Sequence, residues 1–257
     1  MKHKIKSLIL ITLVSSFFIG CGFQKVQYTN RTQLITIGYA QEMKLGLTAS
    51  EKIKKENYKT LNKDKKFYKR VYAIGTKIAK VANKPDFRWE FNTISKDIPN
   101  AFCLPGGKVF VYKGILKAAK NDDQLATVIS HEIAHAIARH GAERASINQV
   151  AGISGQILSA VVNSKAPEHN NAFAMAYGYG LNYGLILPYS RKHELEADKI
   201  GLIPMTKAGY DTNEAYKFWK NMAKSSGRAE NANDFFSTHP NSYKRMEEIK
   251  KFNAMNQ

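Results

Sequence analysis

Three residues in one short stretch of the chain have the types and the spacing to bind a metal ion and use it. They are His131, Glu132 and His135, in the sequence His-Glu-Ile-Ala-His. Residues four apart lie on one face of an α-helix, so both imidazoles can bind the same ion, while Glu132 lies one step around the helix beside the open coordination position. This pattern is typical of zinc hydrolases. Apolar neighbours such as Val128 and Ile129 favour a dry site.

A catalytic zinc ion needs a third protein ligand besides the two histidines. The metzincin extension would require Gly at position 138 and His at position 141, and this chain has Ala138 and Gly141 instead. The metzincin class is therefore excluded. His140 lies half a turn from the face of His131 if the helix continues, so we expect it to be a last-turn or surface histidine.

The third ligand is expected in the segment that contains Glu194, Glu196 and Asp198. Glu194 and Asp198 are four apart and share a helix face, so one carboxylate can bind zinc while the other accepts a hydrogen bond from a zinc-bound histidine. Glu196 points about 200° away from Glu194. This geometry favours Glu194 as the ligand and Asp198 as its support, with Glu196 dispensable; a charged helix surface is the alternative interpretation.

The elements around these motifs are predicted from caps and periodicity. Residues 21–47 lack sustained periodicity and are interpreted as a tether, and residues 48–257 as the folded domain. Asp64 is expected to cap an amphipathic helix, and Asn121 the helix that carries His131. Strands are expected at 87–91 and 108–112. The uncharged stretch 172–187 is interpreted as a mobile segment or as buried packing.

The composition limits the class of protein. The 257 residues are 44% hydrophobic, which is enough for a packed core and excludes a disordered chain or a disulfide-stapled miniprotein. The net charge of +18 comes from 31 Lys and only eight Arg. Dispersed lysines are more typical of a solvated surface or of attraction to anionic lipid than of base recognition, so no nucleic-acid partner is expected.

The N-terminus has the pattern of an export signal. A lysine-rich start is followed by the uncharged run 7–20, so residues 1–20 are predicted to be a signal peptide. The sequence Phe18-Ile19-Gly20-Cys21 resembles a bacterial lipobox, which predicts cleavage before Cys21 and its lipidation. A plain signal peptide with an incidental cysteine is the alternative. Gly22 favours sorting to an outer membrane, and Cys103 is then left without an intrachain disulfide partner.

The chain resembles the zinc metallopeptidase family that includes HtpX, the Ste-type CAAX prenyl protease, and the periplasmic proteases LoiP and BepA. The resemblance covers about residues 40–250, and its layout is most similar to the LoiP branch of periplasmic lipoproteins. The motifs that carry it are 100–107, the run His131 to His135, Glu194-x-x-Ala197-Asp198, and Thr238-His239-Pro240 with Arg245.

The resemblance implies an α+β fold, a predominantly helical zincin-like domain with a small β-sheet whose edge strand flanks the active-site cleft. It implies one zinc ion per chain bound by His131, His135 and Glu194, with Glu132 as the general base. It also implies His239 as an oxyanion donor, and a helix-capping histidine is the alternative for that residue. Arg245 is interpreted as the partner of a buried carboxylate.

The same resemblance implies peptide or protein substrates that add to the edge strand at Asn100, Ala101 and Phe102. The expected protein is a zinc endopeptidase of the cell envelope, an outer-membrane lipoprotein facing the periplasm, that cleaves unfolded or misassembled envelope proteins. The alternative is a lipoprotein of the same fold that acts mainly as a chaperone or client-binding module. The sequence leaves the oligomeric state open.

Overall fold

A computed structural model describes residues 22–182, 187–226, His239 and 243–255 of the chain. Within these ranges helices predominate and accompany a two-stranded and a three-stranded β-sheet. The predicted α+β class is therefore confirmed.

The segment that was expected to be an irregular tether contains regular structure. β1 (Gly22–Lys25) pairs antiparallel with β2 (Thr32–Ile35), and α1 follows over Tyr39–Glu56. Residues 22–47 therefore contain two strands and the first part of α1, which the lack of sustained periodicity did not predict. Strands of four residues are too short to show a clear period of two, and Gly38, which precedes α1, has no capping side chain to mark where the helix begins.

Two helices begin where their caps predict. α2 spans Lys65–Val81, and the Asp64 carboxylate accepts a hydrogen bond from the Phe67 amide. α3 spans Asp122–Ile137, and the Asn121 side chain accepts one from the Gln124 amide. The two helices pack against each other and bury apolar residues that include Phe67, Val71, Ile74 and Ile78 of α2 and Val128, Ile129 and Ile133 of α3. The amphipathic character predicted for α2 is therefore confirmed.

The larger sheet has the order β3-β5-β4, with β3 at Glu90–Ile94, β4 at Ala101–Leu104 and β5 at Lys108–Tyr112. β3 runs parallel to β5, and β4 is an antiparallel edge strand. The β4–β5 turn uses positive φ angles at Gly106 and Gly107, a conformation that suits residues without a Cβ atom. The strand predicted at 108–112 is confirmed, but β3 begins at Glu90, because Phe87 and Trp89 pack without strand pairing.

Arg139 ends the helix that carries the metal-binding motif and turns the chain. Its φ of 58° is left-handed, and a new helix, α4, begins at His140 and runs to Lys165. A short 3₁₀ turn at Pro167–His169 leads to α5 (Asn170–Leu181), which packs against α4. No residue of α5 is buried, so the expectation of buried packing over 172–187 is wrong for the part that α5 covers.

The C-terminal helices are α6 (Leu187–Lys207), α7 (Asn213–Ser226) and α8 (Tyr243–Met255). α6 and α7 pack against α3, and α8 packs against α6 and α7. Gly201 of α6 faces the backbone of α3: a Cβ atom there would lie 3.0 Å from the carbonyl oxygen of Ser130. A residue without a side chain at 201 therefore allows the close approach of α6 to the metal-binding motif.

Candidate metal centre

α3 and α6 bring three side chains to one point, and His239, which lies outside both helices, adds a fourth. One ligand atom each from His131, His135, Glu194 and His239 lies within 4.8 Å of the others, and all four residues are buried. Nε2 of His131 lies 3.1 Å from Nε2 of His135 and 3.2 Å from Oε2 of Glu194. Atoms that bind one tetrahedral zinc ion at about 2.0–2.1 Å lie roughly 3.3 Å from one another. The spacing therefore fits a single metal ion.

Two carboxylate oxygens in this cluster support that fit. Oε1 of Glu132 and Oε1 of Glu194 are buried and have no hydrogen bond of good geometry among the described residues; imidazole nitrogens of His239 and His135 lie 3.5 and 3.4 Å from them. A buried carboxylate oxygen is costly unless it binds a proton donor or a cation. Burial also raises the pKa of Glu132 above its ordinary value. The donor set of imidazoles and a carboxylate, with an oxygen available beside it, suits a zinc ion and a water molecule.

His131 is oriented by Asp198. Its Nδ1 lies 2.9 Å from Oδ1 of Asp198, which leaves Nε2 for the metal cluster. Arg245 donates two hydrogen bonds to the same carboxylate and lies over the ring of Trp219, 3.8 Å from its centroid. The interpretation of Arg245 as partner of a buried carboxylate is confirmed. Burial lowers the pKa of His131, but the hydrogen bonds to Asp198 and Glu194 outweigh it and raise that pKa to about 9.

His135 is oriented by His140. Their Nδ1 atoms lie 2.8 Å apart, and Nε2 of His140 lies 3.0 Å from Oε2 of Glu196. His140 is completely buried, so the expectation of a last-turn or surface histidine is wrong. The prediction assumed that α3 continues, whereas the left-handed residue Arg139 redirects the chain.

Glu196 points away from the metal cluster, as its place on the helix predicts, and it lies in a buried network that the helix spacing does not reveal. It is 9% exposed, and it accepts hydrogen bonds from Thr29 and from Nε of Arg31, the latter at 2.7 Å. Arg31 also donates two hydrogen bonds to the buried carboxylate of Glu143. Removing the Glu196 charge would therefore disturb a buried network.

His239 lies among the ligand atoms. Its Nδ1 is 3.1 Å from Oε2 of Glu194 and 3.4 Å from Nε2 of His131. Its Nε2 is 3.5 Å from Oε1 of Glu132. The imidazole is therefore close both to the ligand atoms and to the Glu132 carboxylate. Its neighbours Thr238 and Pro240, and the predicted lipidation site Cys21, lie outside the described residues.

A cleft of about 500 Å³ opens beside this cluster. Its lining includes Glu132, His135 and His239 together with Asn100, Ala101 and Phe102. The latter three residues lie at and just before the edge strand β4, whose other edge pairs with β5. The cleft thus joins the predicted catalytic residues to a strand edge that an extended peptide could pair with.

Comparison with known proteins agrees with this geometry. Residues 66–253, which include all four residues of the metal cluster, match Peptidase family M48. The chain belongs to peptidase family M48. The narrower resemblance to the LoiP branch stays a prediction.

Several relatives align with more than half of this chain. Over 176 residues the chain is 41% identical to mitochondrial metalloendopeptidase OMA1 of Schizosaccharomyces pombe, and the aligned region covers 68% of this chain and 50% of that protein. Over 163 residues the chain is 34% identical to human OMA1, and the aligned region covers 62% of this chain and 31% of that protein. Over 176 residues the chain is 26% identical to the beta-barrel assembly-enhancing protease of Yersinia pestis, and the aligned region covers 66% of this chain and 36% of that protein. The chain spans about half or less of the length of these relatives.

Three residues near the metal centre were not found by reasoning from the sequence. They are Arg31, Glu143 and His193. The His193 ring stacks on His140 with centroids 4.1 Å apart, and its Nε2 lies 2.9 Å from Oε2 of Glu143. Glu143 and His193 lie inside the M48 match but outside the helix spacings that were considered. Arg31 lies before the match in a loop between two short strands, where no pattern connects it with the motif.

Proposed function

We propose that this M48 chain is a zinc-dependent endopeptidase with His131, His135 and Glu194 as the zinc ligands. The observation that supports this most strongly is their convergence, with ligand atoms within 4.8 Å, next to the buried Glu132 carboxylate oxygen that has no hydrogen bond of good geometry among the described residues. A structural site would have no need of a carboxylate at that point. The arrangement suits hydrolysis, in which a base must act on water beside the metal.

Zinc held there supplies Lewis acidity, which polarises a peptide carbonyl and acidifies water. Glu132 takes the proton from the attacking water and later donates it to the departing amine. Burial suits it for both steps, because a raised pKa brings the carboxyl closer to the range in which it can accept and release a proton. Asp198 keeps His131 in the tautomer that presents Nε2 to the ligand cluster.

The position of His239 bears on how the site opens. A catalytic zinc site has three protein ligands and leaves one position for water or substrate. With Nδ1 of His239 near Glu194 and His131, the four donors would fill that position. We therefore propose that His239 leaves the ligand position when a substrate binds, after which its Nε2 can donate to the carbonyl oxygen.

The substrate is proposed to be an extended segment of an unfolded or misassembled envelope protein. The edge of β4 at Ala101 and Phe102 offers main-chain pairing, which places little demand on sequence. A relative named beta-barrel assembly-enhancing protease supports an envelope setting, whereas the relatives named OMA1 are mitochondrial. The proposed attachment is a lipid on Cys21 in the outer membrane, with the domain facing the periplasm, as in LoiP-like proteins.

A client-binding role with little cleavage is the alternative, and the location of His239 is the observation that favours it. If that imidazole stays among the ligands, the site remains closed while the cleft can still bind a peptide. Such a protein would bind unfolded chains whether or not Glu132 is intact.

The experiment compares bound zinc and cleavage of an unfolded protein such as casein, with and without a zinc chelator. The proposal expects one zinc per chain and cleavage that stops with chelation and returns with added zinc. Glu194→Gln should lose zinc while retaining its circular dichroism spectrum. Full zinc content in a folded Glu194→Gln variant would overturn the ligand assignment, and binding of casein without cleavage would favour the client-binding role.

A further inference from the structure

The α4–α5 hairpin exposes apolar side chains to an unusual extent. Beyond Ala151 no residue of α4 is buried, and no residue of α5 is buried. The exposed large apolar residues of the hairpin include Val150, Ile153, Ile157, Leu158, Val161 and Met175. Among the described residues, α4 is the one helix long and apolar enough to cross a membrane by length and composition. Contiguous exposed apolar surface of this kind marks contact with an apolar partner.

The hairpin also lacks charge where a water-exposed helix would carry it. Residues 145–164 of α4 and 170–181 of α5 contain no Asp, Glu, Lys or Arg, although 23% of the chain is charged. A helix with solvent on its outer face normally has charged residues there. The uncharged part of α4 is about 30 Å long, which equals the hydrocarbon thickness of a bilayer.

The position of the hairpin relative to the N-terminus indicates which apolar partner it meets. Gly22 pairs with Ile35 in the β1–β2 sheet, and the next residue, Thr36, bonds to Ser146 and Gln149 of α4, each at 2.8 Å. The uncharged run 7–20 and Cys21 are joined to Gly22. A lipid on Cys21, or a retained run 7–20, would bring a membrane to the base of the apolar hairpin.

We propose that the α4–α5 hairpin inserts into the same lipid bilayer that the N-terminus reaches, as a second attachment of the domain. Two attachments at one end of the molecule fix its orientation on the membrane, whereas one flexible lipid anchor does not. The metal cluster lies at the base of this hairpin, since α4 begins five residues after His135. The cleft is therefore held close to the membrane surface.

The test uses the full chain in phospholipid vesicles with a fluorescent NBD label. Cys103→Ala removes the internal thiol, and Ile157→Cys or Val161→Cys then places the label on the hairpin; the unsubstituted Cys103→Ala chain gives the background. Tyr72→Cys on α2, which is 50% exposed, is the matched control. Both hairpin labels should shift to the blue and be quenched several-fold more than the control by lipids with a nitroxide in the acyl chain.

Equal quenching of the hairpin and control labels would overturn the proposal. A blue shift without quenching by the acyl-chain nitroxide would overturn it too, because the hairpin would then be covered by protein, either a second copy or the run 7–20. Agreement between positions 157 and 161 excludes a local effect of one substitution.

Hydrogen bonds link Glu196 to His135 through His140, and they support a second inference. We infer that Glu196 and His140 are positioning residues for His135, which rests on the proposed role of His135 as a zinc ligand. The Glu196 carboxylate can only accept, so His140 donates from Nε2 and keeps a lone pair on Nδ1. That lone pair accepts the Nδ1 hydrogen of His135, which leaves Nε2 of His135 for the metal.

Glu196→Gln tests this inference, because an amide can donate to His140 and reverse its tautomer. Zinc affinity, measured by competition with a chelator, should fall roughly 10–100-fold, and the visible spectrum of the cobalt-substituted protein should change. Glu196→Asp should restore part of the affinity. The matched control is Glu248→Gln on α8, which removes the same charge at a site 48% exposed.

Two outcomes separate this inference from the proposed function. Full zinc in His135→Ala would refute the ligand assignment itself. Loss of zinc in His135→Ala, together with unchanged affinity and cobalt spectrum in Glu196→Gln, would refute only the positioning role.

Discussion

Arg245 holds the Asp198 carboxylate with two hydrogen bonds, Nε to Oδ2 at 2.6 Å and Nη2 to Oδ1 at 2.8 Å. Both residues are buried. Burial alone would raise the pKa of Asp198, but the Arg245 charge and its hydrogen bonds outweigh burial and hold that pKa below its ordinary value. An ionised Asp198 can accept from Nδ1 of His131, so the buried arginine acts on the metal centre through Asp198. It also forms a direct ion pair with Glu194, Nη1 to Oε2 at 3.3 Å.

Asp198→Asn should reduce zinc affinity or peptide hydrolysis by roughly 10–100-fold, the usual effect of losing the carboxylate partner of a metal-bound histidine. It also leaves Arg245 buried with one fewer counter-charge, so some loss of stability is expected. Zinc content and urea unfolding measure the two effects separately. Glu51→Gln, an exposed substitution with the same change of charge, is the control. Equal zinc affinity in the two variants would contradict this role.

His239→Ala should retain zinc, because His131, His135 and Glu194 remain. If the imidazole blocks the open coordination position, cleavage of a short peptide should rise in this variant. Steady-state hydrolysis with bound zinc measured in the same sample decides between the two roles of His239. A fall in hydrolysis at unchanged zinc would show that its part as an oxyanion donor outweighs the blocking.

Gly201→Ala should destabilise the fold, because the new Cβ atom would lie 3.0 Å from the carbonyl oxygen of Ser130 and push α6 away from α3. Overpacking of this kind costs about 1–3 kcal/mol in the free energy of unfolding. Gly152→Ala in α4 meets nothing within 4 Å and should stabilise that helix slightly. Urea midpoints for the two variants test the difference, and an equal or higher midpoint for Gly201→Ala would refute the close-packing argument.

Cys21→Ser should abolish fatty-acid labelling of the chain and shift it from a lipidated form to a soluble or signal-anchored form. Metabolic labelling with a fatty acid, followed by fractionation, measures both properties. Cys103→Ser is the matched control, since Cys103 lies on β4. Undiminished label on the Cys21 variant would refute the lipobox interpretation.

His131, His135 and Glu194 were predictable because regular helices give them fixed geometry, whereas His239 came only from the family resemblance, in another role. The four-residue spacings of His131 with His135 and of Glu194 with Asp198 were sufficient, since each pair lies inside one uninterrupted helix. His140 was misjudged because one left-handed residue, Arg139, changes the direction of the chain. Helix spacing carries no information beyond such a break.

Contacts between distant segments were not predictable from local patterns. Arg31 reaches Glu196 across 165 positions and Glu143 across 112, and no periodicity connects these residues. The short strands β1 and β2 also escaped prediction, because four residues give too few alternations to detect. Glu196 was predicted to be dispensable because helix geometry gives the direction of its side chain, away from the zinc site. The same geometry does not show that Arg31 and His140 contact its carboxylate.

The central claim is that Glu132 acts as the general base of a zinc peptidase. The most direct measurement is Glu132→Gln, a near-isosteric change, with zinc content and cleavage of an unfolded protein determined on the same preparation. Zinc should stay at one per chain while cleavage falls by roughly 10²–10⁴-fold, the usual effect of losing a general base. Near-normal cleavage by a folded, zinc-loaded Glu132→Gln variant would contradict the mechanism.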